Sequence, residues 1–379
     1  MPGRIVLYGA TGYIGGLVAR EMVAIGARPV LAGRDPGRLS ALATRLSQAS
    51  DGTELETAVA DAEPGALRDL IRPGDVVVST AGPFVRIGRP VVEAAVDAGA
   101  TYLDSSGEPP FIRQVFQEFG PRAERTGAVL LTAFGYDYVP GNLAGALALE
   151  AAGSAATRVR VGYFVRGNIR TGTSAGTRAS VAGMLLEPEY GFRGGRVVSE
   201  RTAAQLTSFE VDGNRKEAFS IGSSEHFALP RLRAAEAGRG AAPAPLTDVG
   251  VYLGWFGRAT PLVHYGSAVA SSLRRVPGVR WALNAQAHRI QRSRAQPNAA
   301  AKIRTDVVAV ADDAEGRRLA SVHLTGGEPY SFTAPVLAWA AVQAAAQAIR
   351  PAGALGPVEA FGLGAVGSAC AAAGFRQAR

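Results

Sequence analysis

Lysine is almost missing from this chain. Of 40 basic Lys and Arg residues in 379, only Lys216 and Lys302 are lysines, and the other 38 are arginines. Schiff-base or pyridoxal chemistry would need one of those two, and neither sits in a supporting motif. The single cysteine, Cys370, excludes an internal disulfide and a Cys-rich metal site. The four histidines, His226, His264, His288 and His323, have no paired metal spacing, so no metal is expected. Basic charge also fails to cluster. The net charge is +8, but no block of five or six arginines exists, and the densest stretch is Arg289, Arg292 and Arg294. Dispersed arginine makes no stripe along a phosphate backbone, so a nucleic-acid partner is not expected. Long apolar runs are interrupted. Gln343 and Gln347 break 334–349, while Pro357, Glu359 and several glycines break 352–374. Neither window reads as a transmembrane span. A strand pattern begins at Arg4, leaving no room for a signal peptide, so a cytoplasmic location is the expectation.

What is present is the composition of a folded protein. Hydrophobic residues make up 47% of the chain, which excludes disorder as the main state. At roughly 150 residues per domain, the length favours two domains. The first 150 residues alternate strand and helix signals. Strands are expected at Arg4–Tyr8, Arg28–Ala32, Glu56–Ala60, Asp75–Ser79, Thr101–Asp104 and Ala128–Ala133. Helices are expected at Gly12–Ile25, Pro36–Ser47, Pro90–Ala98 and Pro109–Arg125. Continuously apolar strands spaced by helices predict an α/β fold, a Rossmann-type doubly wound parallel sheet. Near 151–157 the character changes. Arg158–Val165 alternates like a half-buried antiparallel strand, Ser174–Leu186 reads as a helix, and 191–245 as short β pieces. Lys302–Val310 and Arg318–Leu324 read as a hairpin, and Ala334–Ile349 as a long helix. The predicted organisation is a dinucleotide-binding domain over 1–150, an α+β substrate and dimerisation domain with a mixed sheet over 151–330, and a helical segment over 331–379.

The strongest motif is Gly9-Ala10-Thr11-Gly12-Tyr13-Ile14-Gly15. Its Gly-x-x-Gly-x-x-Gly spacing follows a strand and opens a helix. Glycines permit the tight turn, and the helix N-terminus favours a pyrophosphate. The second strand ends in Gly33-Arg34-Asp35, with Arg38 one turn later. An acidic residue there would hold the ribose 2′-OH of NAD, whereas Arg34 can fork onto a 2′-phosphate. The favoured cofactor is NADP(H); the competing reading makes Asp35 the ribose ligand. Asp61 follows the third strand, either beside an adenine or as a helix cap. Thr80-Ala81-Gly82-Pro83 follows the fourth strand, where small residues let a cofactor approach closely.

This glycine loop also occurs in short-chain dehydrogenases, which pair a tyrosine with a lysine four residues on. Here Asp212 precedes Lys216 and Asn298 precedes Lys302 at that spacing. That mechanism is excluded by residue identity.

The sequence resembles the saccharopine dehydrogenase-like NADP-binding oxidoreductases, in particular the branch of trans-acting enoyl reductases. The likeness rests on Gly9–Gly15, Ala32–Arg34, Ser79–Phe84, Tyr102–Pro109, Gly135–Leu143, Gly172–Leu186, Ser224–Arg231 and the helix after Tyr330–Ala334. It departs at Tyr138, where a small Ser is common, and that re-shapes the pocket. The resemblance implies an NADP-binding Rossmann domain, a second domain with a mixed sheet, a site between them, and a C-terminus that packs back near the first domain.

Candidate catalytic residues are Tyr136, Asp137 and Tyr138, which follow a strand C-terminus where ligands bind in open α/β sheets. His226, in the Glu-His-Phe run, is a further candidate. Asp137 could equally cap a helix, and His226 could be a structural histidine. Asp104 and Glu108 occupy a similar strand-end loop. Arg158, Arg160, Arg166, Arg170 and Arg178 could bind substrate carboxylates, although alternate positions point them outward. The expected activity is an NADPH-dependent reduction of an electron-poor C=C in a largely apolar polyketide or lipid intermediate, free or carrier-bound. An imine or ketone reductase of saccharopine type and a non-catalytic NADP(H)-binding protein stay open, as does a homodimer.

Overall fold

The computed structural model describes residues 3–50, 52, 54–167, 188–237, 243–273, 303–347 and 349–378. The expected helix Ser174–Leu186, the hydroxyl-rich 171–177, and Arg170, Arg178, His288, the Arg289–Arg294 stretch and Lys302 lie outside them. In chain order the elements begin with β1 Ile5–Tyr8, α1 Tyr13–Ala24, β2 Val30–Gly33, α2 Pro36–Gln48, β3 Thr57–Val59, α3 Pro64–Leu70 and β4 Val76–Ser79. They continue with α4 Phe84–Asp97, β5 Thr101–Asp104, α5 Pro109–Gln114, α6 Gly120–Thr126, β6 Val129–Leu131, α7 Val139–Ala152, β7 Arg158–Arg166, β8 Glu189–Arg193, β9 Arg196–Glu200, β10 Leu206–Val211 and β11 Asn214–Ser220. The remainder is α8 Glu225–Ala237, β12 Asp248–Leu253, α9 Thr260–Leu273, β13 Arg304–Asp312, β14 Arg318–Gly326, α10 Pro329–Ala346, β15 Gly353–Ala354, α11 Pro357–Phe361, α12 Leu363–Ala372 and β16 Arg376–Gln377.

The chain forms two compact units. The first comprises Met1–Ser106, Phe111–Val139 and Pro329–Ala373; the second comprises Gly107–Pro110, Pro140–Glu328 and Gly374–Arg379.

The first unit is built on a seven-stranded parallel sheet in the order β15-β6-β5-β4-β1-β2-β3. Strands β1, β2 and β4 are buried along their whole length, which is why they read as unbroken apolar runs. Leu7, Leu31 and Val78 are fully buried, and each such side chain contributes roughly 1.5–3 kcal/mol. Helix α1 buries Gly15, Val18, Ala19 and Met22. Helix α10 packs against α1 and against β1, β4 and β5. Its C-terminal end meets the start of the chain, where the Gly3 N–H donates to the Ala345 carbonyl at 2.7 Å.

Two helices differ from expectation here. Pro90 looked like a first helical residue, but α4 begins at Phe84 and carries Pro90 inside it. The Gly82-Pro83 turn supplies the start, and burial of Phe84, Val91, Val92 and Ala95 holds the helix across the proline. The helix expected over Pro109–Arg125 is interrupted by a π-turn at Val115–Phe119 before Gly120-Pro121. Helix α3, with Pro64 at its first position, was not anticipated.

The second unit holds a mixed sheet in the order β10-β11-β12-β7-β13-β14-β16, with β8 and β9 attached through β12. Strand β7 is central, parallel to β12 and antiparallel to β13, and its middle is buried throughout, so it is not the half-buried strand expected. The β13–β14 hairpin forms at the expected place. Phe164, Phe209 and Tyr252 meet in edge-on contacts at 5.7 and 5.8 Å within its core. The stretch 191–245 contains strands, as read, but also helix α8. That helix carries Pro230 in its interior, and proline there masks a helical pattern.

Candidate functional site

The glycine turn between β1 and α1 leaves no room for side chains. Gly9 has φ +83°, and a Cβ there would lie 2.9 Å from the Ala81 nitrogen. A Cβ on Gly15 would lie 2.3 Å from the Gly9 carbonyl oxygen. Gly12 is the N-cap of α1, and no side chain caps this helix start. The start of a helix favours an anion, and Gly12 is exposed there. Thr11, Gly12, Tyr13 and Ile14 are all at least partly exposed. Thr80 ties the loop after β4 to this turn. Its hydroxyl donates to the carbonyls of Tyr8 and Gly9, at 3.1 and 3.2 Å, and pins the turn. Ala81, Gly82 and Pro83 follow it with partial exposure, and the Gly82–Pro83 bond is cis.

Charge at the end of β2 favours an anion. Arg34 is exposed after Gly33 and makes no hydrogen bond or ion pair among the described residues. Arg38 reaches back to the Thr11 carbonyl at 2.7 Å. Asp35, the competing ribose ligand, is occupied as the N-cap of α2 and accepts the Arg38 N–H. Asp61 is exposed after β3 and accepts the Glu63 N–H at 3.1 Å, so it too serves as a local turn acceptor. These residues fit a dinucleotide carrying an extra phosphate: a helix start without a side-chain cap, a turn that excludes Cβ atoms and an exposed guanidinium.

The loop after β6 is held from two sides. Asp104, fully buried at the end of β5, accepts the N–H groups of Ser106 and Ala133 through Oδ1, at 2.8 and 2.9 Å. Burial lifts its carboxyl to about 6 against those hydrogen bonds. The Tyr136 N–H donates to Thr333 Oγ1 at 3.0 Å. Tyr136 and Tyr138 are buried, and Asp137 between them is partly exposed. Desolvation raises the Asp137 carboxyl to about 6, with no hydrogen bond or charge among the described residues to offset it. A lone carboxyl with a raised pKa in a strand-end loop is the pattern of a proton-transfer group.

His226 belongs to the second unit, at the start of α8. It is buried, its Nδ1 accepts the Ser223 N–H at 3.2 Å, and its ring meets Tyr190 edge-on at 5.5 Å. Burial, with Arg193 nearby, pushes its pKa down to about 3, so it is neutral. That geometry matches a structural histidine. Around it lies a buried polar group that the sequence did not reveal. Tyr163 donates to Glu225 at 2.6 Å, and Asn142 donates to Ser224 at 3.0 Å. Glu225 and Ser224 fall in the Ser-Glu-His-Phe run, which was the available signal. Glu189 is also buried there, and desolvation raises it to about 8 although it accepts the Gly222 N–H.

The arginines of β7 are paired. Arg160 holds Asp312 at 2.9 Å, and Arg158 lies 3.8 Å from Asp248. Arg166 holds Asp306 at 2.6 Å and also pairs with Asp212. Asp212, Asp306 and His323 converge closely enough to suit a cation. The Arg166 guanidinium already lies on both carboxylates. Burial works against ionisation of Asp306, but His323 and Arg166 hold its carboxyl well below the usual range.

Comparison with known proteins supports the reading of the first unit. Residues 5–131 match the family model described as the saccharopine dehydrogenase NADP binding domain. Over those residues the first unit is similar to a saccharopine dehydrogenase NADP-binding domain. The start of α1 and Arg34 lie within the matched residues.

A protein of Mycobacterium tuberculosis (strain ATCC 25618 / H37Rv), provisionally named a trans-acting enoyl reductase, is 40% identical over 141 residues, covering 37% of this chain and 33% of that protein. The trans-acting enoyl reductase of Mycobacterium ulcerans (strain Agy99) is 38% identical over 142 residues, covering 37% and 34%. The matched stretch thus spans about a third of these relatives' length. Among solved structures, the apo saccharopine dehydrogenase (L-Glu forming) of Saccharomyces cerevisiae covers 100% of both chains at TM-score 0.58 and 12% identity. At that identity the likeness is one of fold. No helix among the described residues is long and apolar enough to cross a membrane.

Proposed function

We propose that this chain is an NADPH-dependent reductase that adds hydrogen across an electron-poor C=C of a largely apolar acyl intermediate of polyketide or lipid type. The observation that carries the reading is Asp137. Its carboxyl, raised to about 6 by desolvation and without a hydrogen bond among the described residues, follows β6 in the same parallel sheet whose β1–α1 turn is the proposed cofactor loop. Gly9, Thr11, Gly12, Tyr13 and Ile14 would hold the pyrophosphate, and Gly33 with Arg34 the 2′-phosphate. Asp61 lies on the adenine side, and the backbone of Thr80, Ala81, Gly82 and Pro83 on the ribose side. Bound NADPH supplies the hydride. Asp137 holds the proton that the neighbouring carbon takes up, and about a tenth of it is protonated at pH 7. Tyr136 and Tyr138, on either side of it in the chain, are buried.

The names of the mycobacterial relatives favour an enoyl substrate. The state of the β7 arginines argues against a substrate rich in carboxylates, because Arg158, Arg160 and Arg166 are already committed to aspartates. NADPH oxidation, followed against panels of enoyl, imine and ketone substrates, tests the reading. Turnover of enoyl compounds alone is expected. Imine turnover would transfer the chain to the saccharopine type of reaction. Tight NADPH binding with no turnover in any class would leave a non-catalytic binding protein.

A further inference from the structure

We infer that the first turn of α10 is a latch that joins the two halves of the cofactor site: Tyr330 fixes the glycine turn and Thr333 fixes the loop bearing Asp137. The inference rests on the cofactor reading of the first unit, to which all four contact points belong. Tyr330 packs edge-on against Tyr13, the first residue of α1, with ring centroids 5.2 Å apart and planes at 87°. One turn later Thr333 Oγ1 accepts the Tyr136 N–H at 3.0 Å. The same hydroxyl donates to the Pro329 carbonyl at 2.8 Å. Its proton is thus committed, and its lone pair is aimed at Tyr136.

The approach is too close for a side chain on the loop. A Cβ on Gly135 would lie 2.7 Å from Thr333 Cγ2. Gly135 is therefore glycine because α10 bears on it. Tyr136 is buried, so losing this acceptor removes a buried hydrogen bond from the loop beside Asp137. Tyr13 stands at the pyrophosphate end of the site and Tyr136 stands next to the proposed proton donor. One helical turn, contributed from the far end of the chain, touches both. Thr333 and Tyr330 are positioning residues in this scheme, since neither needs to touch substrate.

The test separates the two halves with two ligands. Adenosine 2′,5′-bisphosphate probes the phosphate half alone, and the fluorescence of bound NADPH reports the nicotinamide half. Thr333→Val keeps the shape but removes the acceptor, and Thr333→Ser restores it. The expected result for Thr333→Val is bisphosphate affinity within twofold of wild type, with the NADPH emission change at least halved, and recovery in Thr333→Ser. Identical emission in wild type, Val and Ser variants overturns the latch. Equal loss of both ligands in Thr333→Val also overturns it, because Thr333 would then be a packing residue only. Tyr330→Leu serves if the valine variant does not fold. It should weaken both ligands several-fold, and unchanged affinities overturn the Tyr13 contact. Absence of NADPH binding in wild type would end the cofactor reading itself. Absence of turnover with a normal NADPH signal would end the reductase reading and leave the latch standing.

Discussion

Asp35 Oδ1 accepts the backbone N–H of Arg38 at 3.0 Å, which commits that oxygen to the start of α2. On the proposed reading Arg34, exposed beside it and without an ion pair among the described residues, faces the 2′-phosphate. Arg34→Ala should therefore weaken NADPH by about 1–3 kcal/mol, the range for a lost charge-assisted contact, and NADH much less. Fluorescence titration of both cofactors checks this. Equal weakening would overturn the assignment. Asp35→Ala should cost stability, about 0.5–2 kcal/mol for a lost cap, without changing the cofactor preference.

Gly15 makes a sharper probe of the turn than its exposed neighbour Gly12. Its missing Cβ would collide with the Gly9 oxygen at 2.3 Å and with Thr80 Oγ1 at 2.8 Å. Gly15→Ala should push the turn open, cut NADPH affinity at least tenfold and lower the melting temperature. Gly12→Val should abolish dinucleotide binding by blocking the helix start, with a smaller loss of stability. Calorimetric binding and thermal melts of both variants distinguish the two effects. Unaltered NADPH affinity in Gly15→Ala would contradict the geometry of the turn.

The parts of the site that could be read from sequence are contiguous. Gly9–Gly15 and Gly33-Arg34 each carry their chemistry in neighbouring residues, and the strand periods around them place the loops. The proposal of Asp137 rests on the same kind of signal, a loop that comes after an apolar strand. The contacts that hold these loops were not visible. Thr333 lies 197 residues from Tyr136, and a threonine within a helical run carries no signal of a partner. Asp104 looked like a possible chemical group and proved to be an anchor for the Ala133 and Ser106 amides. His226 shows the opposite limit. Its motif marks it, but its burial, its bond to Ser223 and its lowered pKa are legible only in the structure, and they favour a neutral, structural ring. The β7 arginines alternate as an outward face would, yet their partners come from β12, β13 and the β10–β11 turn, which no local pattern encodes.

Glu189 predicts a pH dependence of stability. The folded chain keeps its proton up to about pH 8, against 4.5 for the free side chain. Between those values the unfolded chain has released a proton that the folded chain still binds, so stability falls as pH rises through this window. Glu189→Gln retains an acceptor for the Gly222 N–H and removes the titration. Melting temperatures should converge for the two proteins below pH 4.5 and separate steadily up to pH 8, with the Gln variant higher. Parallel curves across that range would show that Glu189 is ionised and balanced by a neighbour.

Asp137→Asn tests function and stability in opposite directions. The Asp137 carboxyl is raised to about 6 by desolvation, so ionising it opposes folding between its free value of 3.8 and pH 6. An amide of the same shape carries no such cost, and the variant should melt at a higher temperature than wild type at pH 7. Its NADPH affinity should be retained, because the glycine turn and Arg34 are untouched. Turnover should fall by 10²–10⁴-fold, the usual contribution of a positioned acid. The wild-type rate should also decline as pH rises above about 6, and the residual rate of the variant should not. A carboxylate that merely capped α7 would give the reverse pattern, with stability lost or unchanged and the pH profile preserved. The proton donor would then have to be sought outside the β6–α7 loop.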